Sequence, residues 1–145
     1  MKLYKALKLK KKLVGEIAKL KSQIQSKNSY LISTGNVLKY DVREIEKELD
    51  AKLWELVDLK LSMYRANLPI QKTIFDLTET KGLLAFWTSV SVTEGEQLLG
   101  YSDTTVRQYG VCIDEIERDQ RVKILQTKID TMQEELDTFN YTTEL

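Results

Sequence analysis

Apolar residues recur along this chain in steps of three and four. In the first segment they fall at Leu3, Ala6, Leu13, Ile17, Leu20 and Ile24, with Lys10 filling the single gap, which is the heptad seam of a helix over residues 2–26. Leu7 and Val14 form a secondary stripe, widening the buried face enough for more than one partner. Ser26, Asn28 and the pair Gly35, Asn36 interrupt the pattern and predict a loop over 27–35, with Tyr30, Leu31 and Ile32 as a short extended piece inside it.

The longest run follows: Leu38, Val42, Ile45, Leu49, Leu53, Leu56, Leu59, Met63, Ala66, Ile70, Ile74 and Leu77. Its mean step of about 3.5 residues is coiled-coil spacing and predicts one long helix from residue 37 to about residue 88. The only proline, Pro69, falls inside it, removing a backbone donor at a cost of about 3 kcal/mol unless the helix bends or restarts. Arg65-Ala66-Asn67-Leu68 holds no glycine and the apolar rhythm does not reset, so a kink is expected, with Asn67 as cap of the continuing helix and Pro69 in its first turn.

Beyond Leu83, Leu84, Phe86 and Trp87 the pattern fades into a turn-rich stretch over 94–105. Alternation across Val106–Ile113 predicts one short strand, with Tyr30–Ile32 as its candidate partner. Asp114 with Glu117 reads as a capping box opening a last helix over 115–140, whose seam is Val122, Leu125, Ile129, Met132, Leu136 and Phe139. The expected fold is all-α, a single domain over residues 1–145. It has long antiparallel coiled-coil helices, a kinked central helix and at most one small β element. The first helix lies against the first half of the long one and the last helix against the second half. Two helices per cross-section leave Leu7, Val14, Trp54, Val57 and Leu61 outside the main seams, and homo-oligomerisation, a dimer first of all, would bury them.

Composition narrows the chemistry. The 145 residues contain no histidine, which excludes imidazole acid/base catalysis, His-based metal sites and Ser-His-Asp or Cys-His nucleophiles together. The single Cys112 forms no intrachain disulfide and fits a reducing compartment. Uncharged runs reach only twelve residues, Gly82 to Thr93, against the roughly 20 of a membrane span. The expected location is therefore cytoplasmic.

Charge balances at 22 basic and 22 acidic residues, yet it is graded. Residues 1–30 carry nine lysines and one acid, residues 81–145 six bases and twelve acids. Lys8, Lys10, Lys11 and Lys12 make the densest patch, which a nucleic acid or an anionic membrane would attract, but pairing with acidic helices of the same fold is the expected use. Lys2 and Lys5 at the positive start of their helix, and Glu134, Glu135 and Asp137 near the negative end of theirs, oppose the helix dipoles. Setting those two ends side by side relieves both.

Glu44, Glu48, Glu55 and Asp58 are the candidate acid/base carboxylates, but the i, i+4 spacing of Glu44 and Glu48 is that of a solvated helix flank. Asp41, Glu44 and Glu48 on one face could at most hold a hard cation. No phosphate-binding glycine loop occurs. Cys112, in the predicted strand, is expected to be a buried and inert thiol. Trp54, Phe86 and Trp87 read as core, except that the adjacent Phe86 and Trp87 cannot both face one seam. No catalytic, cofactor-binding or metal residue is assigned, and no cofactor is expected.

The opening Met1, Lys2, Leu3 with Ala6-Leu7, the central Asn67, Ile70, Gln71 with Leu77, Glu79 and Lys81, and the final Ile129, Leu136-Asp137, Asn140 and Thr142-Thr143 resemble the septicolysin-like family of short bacterial proteins. The resemblance implies a coiled-coil protein of undefined role, and the family label implies a cytolysin. It carries over no catalytic residue. Pro69 and the short first loop depart from the family pattern, which bears on helix lengths rather than on fold class. The expected function is a non-enzymatic coiled-coil assembly or protein-interaction module. The alternatives are a membrane-active helical protein and nucleic-acid binding through the first helix.

Overall fold

The computed structural model describes residues 1–32, 41–98, 100 and 105–145. In chain order it has α1 (Leu3–Lys27), α2 (Val42–Asn67), a 3-10 turn (Leu68–Ile70), α3 (Gln71–Ser89), β1 (Gly95–Leu98), β2 (Val106–Tyr109) and α4 (Glu115–Thr142). The molecule is mostly helical with one small two-stranded sheet. None of its described helices is long and apolar enough to cross a membrane. Contacts divide the chain into two compact units, Met1–Pro69 with Thr138–Leu145, and Ile70–Asp137.

In the first unit α1 and α2 are antiparallel neighbours: Lys27 lies with Asp41 and Arg43, while Glu16 lies with Lys52. Their shared core is Leu3, Ala6, Leu13 and Ile17 against Leu56, Leu59 and Met63. These are seam positions on both helices, because residues three and four apart stack on one face. Lys52 also lies on the seam of α2, and there the helices are joined by charge. Its ammonium is 3.2 Å from Glu55 and 3.4 Å from Glu16. Hydrogen bonds to Glu55 and then Glu16 raise its pKa above the ordinary lysine value.

The start of α1 has no side-chain cap. The C-terminal residues supply one instead. Leu3 N–H donates to the Thr143 carbonyl at 2.9 Å, and Leu145 N–H donates to the Met1 carbonyl at 2.9 Å. Lys2 Nζ donates to the Thr142 carbonyl at 2.9 Å and pairs with Glu144 at 3.1 Å. The rings of Tyr4 and Tyr141 lie 4.8 Å apart. The positive pole of α1 thus sits beside the negative pole of α4, but none of the expected partners Glu134, Glu135 and Asp137 forms an ion pair with Lys2 or Lys5 among the described residues. The observed carboxylate partner of Lys2 is Glu144, because α4 runs to Thr142, past the predicted end at residue 140.

The hydrogen bond and charge of Lys2 hold the Glu144 carboxyl below the usual carboxylate range. A depressed folded pKa gives stabilisation that is complete above the unfolded value and lost as pH falls through the folded one. Lys2→Met should therefore make thermal stability less sensitive to acidification. Equal midpoint losses on acidification in the two proteins would refute the coupling.

In the second unit α3 packs on α4 through Leu77, Ile129 and Met132, flanked by Leu84 and Leu136. Thr73 Oγ1 donates to Glu135 at 3.2 Å and the Arg121 guanidinium lies 5.1 Å from the Trp87 ring, so these helices also run antiparallel. The buried hydroxyl of Thr80 is satisfied by donating to the Asp76 carbonyl at 2.6 Å.

Four expectations need correction. The helix predicted from residue 37 opens at Val42, where Asp41 accepts from Arg43 N–H at 3.0 Å as N-cap, and residues 37–40 lie outside the described residues with the Gly35-Asn36 turn. Asn67 does not cap a continuing helix. It ends α2, Pro69 sits in the 3-10 turn, where the missing donor breaks the ladder, and α3 starts only at Gln71. The partner of the 106–109 strand is Gly95–Leu98, with Gly95 opposite Tyr109 and Leu98 opposite Val106, rather than Tyr30–Ile32. Gly95 enters that ribbon at φ +82°, which a side chain would resist. Finally, the strand stops at Tyr109, which leaves Cys112 outside it and exposed.

Candidate interaction surface

The carboxylates singled out from sequence are occupied or apart. Asp41 is a helix cap and so does not share a helical face with Glu44 and Glu48. Glu44 pairs with Lys47 at 2.6 Å, and Glu55 with Lys52. Among the described residues no group of three or more acidic or thiol side chains is placed to hold a metal ion.

An open depression of about 580 Å³ beside the ribbon is lined by Ser91, Thr93, Gln97, Tyr109 and Cys112. The Ser91 and Thr93 hydroxyls in its wall lie 3.1 Å from each other. Among the described residues no carboxylate, amine or guanidinium lines it. Because Cys112 is exposed, the folded protein should react with one equivalent of a thiol reagent as fast as the denatured chain. Protection of more than tenfold in the native state would contradict that placement.

The basic patch is distributed around α1. Lys10 takes a half-buried seam position, Lys12 is 3.6 Å from Glu16, and Lys8 lies 5.7 Å from the Tyr4 ring centroid. Phe86 and Trp87 part as adjacency requires. Phe86 is exposed, while Trp87 is half-buried beneath Arg121 and meets Phe86 edge-on at 5.3 Å.

What stands out is apolar surface. Leu7, Val14, Trp54, Val57 and Leu61, the residues left over by the seam argument, are all exposed. On α2 and the turn that follows they extend into a regular row: Trp54, Val57, Leu61, Tyr64 and Leu68, spaced three, four, three and four, and exposed by 46–69%. At about 100° per residue this row is centred roughly 150° around the helix from the Leu56, Leu59, Met63 seam. Helix α2 therefore has two apolar faces, one buried and one open. Sequence reasoning found Trp54, Val57 and Leu61 but missed that Tyr64 and Leu68 continue them. The signal was a second three-four rhythm running out of phase with the first.

Comparison with protein-family models, curated proteins and solved structures finds no match to this chain.

Proposed function

We propose that this protein is a non-enzymatic helical assembly module that associates with itself through coiled-coil packing and acts in the cytoplasm. The observation that carries the reading is the open row Trp54–Leu68, set opposite a seam that the fold already fills. A helix with one partner needs one apolar face, and an exposed second face of this regularity marks an interaction site. The resemblance to the septicolysin-like family, whose members are described as coiled-coil proteins, agrees with it.

Light scattering of the full chain tests the reading. A dimeric or larger mass at micromolar concentration is expected. A monomer mass across that range, with release of dye from anionic vesicles, would replace assembly by a membrane-active role. A reproducible enzymatic turnover abolished by Glu44→Gln would overturn the non-enzymatic part.

A further inference from the structure

We propose that the partner of this row is the same row on a second copy, running antiparallel about a two-fold axis near residues 62 and 63 of α2. The proposal rests on the assembly reading above and adds the surface, the orientation and the register. Its basis is the charge placed along the edges of the row.

Taking Trp54, Leu61 and Leu68 as one set of seam positions and Val57 and Tyr64 as the other, the flanking positions on one edge are Asp58 and Arg65, and on the other Lys60 and Asn67. Asp58, Lys60 and Arg65 are exposed, and none has an ion-pair partner among the described residues. A parallel pairing sets Lys60 against Arg65 of the other copy, twice, and is repelled. Antiparallel pairing has two registers that fill the seam. One stacks Trp54 on Tyr64 and Val57 on Leu61 of the other copy, and it faces Asp58 with Asp58 and Lys60 with Lys60. The other stacks Val57 on Leu68 and Leu61 on Tyr64. It faces Asp58 with Arg65 of the other copy at both ends, and Lys60 with the neutral Asn67. Only this last arrangement closes the row from Val57 to Leu68 without a like-charge contact, with Trp54 at each of its ends, and it adds two opposite-charge contacts.

The area agrees with a modest dimer. Two aromatic rings, two leucines and a valine, each about half exposed, would remove on the order of 1,000 Å² from water over both copies, the lower edge of specific interfaces. Titration over about 1–100 µM is therefore the range in which the equilibrium is read.

The experiment is sedimentation velocity of the full chain over that range, with circular dichroism melts to check that each variant is folded. The wild type should be a reversible dimer and Leu61→Glu a folded monomer. Asp58→Arg and Arg65→Asp should each weaken dimerisation, on the order of tenfold at low salt, and the double exchange Asp58→Arg with Arg65→Asp should recover it. A parallel dimer predicts the opposite sign for Arg65→Asp, because it would relieve the contact with Lys60, so tighter association of that variant overturns the proposal. A wild-type oligomer that Leu61→Glu leaves intact also overturns it, while sparing the assembly reading. A wild-type monomer at 100 µM overturns both.

Discussion

Replacing Leu13 with alanine is expected to destabilise the unit Met1–Pro69 with Thr138–Leu145 by about 2–5 kcal/mol, read as a lower urea midpoint at unchanged slope. Leu13 and Leu3 are the largest side chains that are fully buried, and Leu13 is 1% exposed. It belongs to the cluster with Ile17, Leu56, Leu59 and Met63, so removing its isopropyl group leaves a void between two helices that can close only by moving both. Leu7, one turn and a half away on the same helix and 41% exposed, provides the comparison. Leu7→Ala should change folding stability by no more than about 0.5 kcal/mol. Were the two substitutions equally costly, the seam would not be what holds α1 to α2.

That contrast was readable from the chain because burial on a helix follows period alone. Every seam residue assigned to the last helix, from Val122 to Phe139, is buried or half-buried, and every described one on the long run from Val42 to Leu77 is as well. Helix starts were readable where a cap was sought. Asp114 accepts from Glu117 N–H at 2.8 Å, as its box required. The same Asp-x-x-Glu pattern occurs at Asp41 and Glu44, but the apolar rhythm through Leu38 and Val42 ran across it and drew the helix too long. Leu53 packs against the α1–α2 core as the rhythm requires, and the half-buried Lys52 beside it is balanced by Glu16 and Glu55.

Less readable were the features that depend on distant segments. Gly95-Glu96-Gln97-Leu98 has little strand composition, and both strands are largely exposed, so no alternation of burial marked them as partners. The second strand is exposed along its whole length and stops at Tyr109, so the alternation that promised burial for Cys112 marked no buried face. The open row on α2 was half legible. Its residues were visibly outside the seam, but its regularity emerged only when their shared exposure was set beside their spacing.

Truncating the chain after Asn140 should cost about 2–4 kcal/mol, leaving the exposed Lys2–Glu144 pair out of account. The cut removes both backbone hydrogen bonds between the chain ends, the stacking of Tyr141 on Tyr4, and Leu145, which packs against the α1–α2 core. It also uncaps α1, whose first N–H groups have no side-chain acceptor of their own. The uncapped state carries its own remedy and hence a sharper test. In the truncated chain, Lys2→Asp places a carboxylate at the N-cap and at the positive pole of α1, and should return about 1 kcal/mol. In the full-length chain the same substitution breaks the contacts of Lys2 with Glu144 and the Thr142 carbonyl and sets two carboxylates together, so it should destabilise. Opposite signs for one substitution in the two backgrounds would identify the chain end as the cap of α1. The same sign in both would mean that α1 begins without its help.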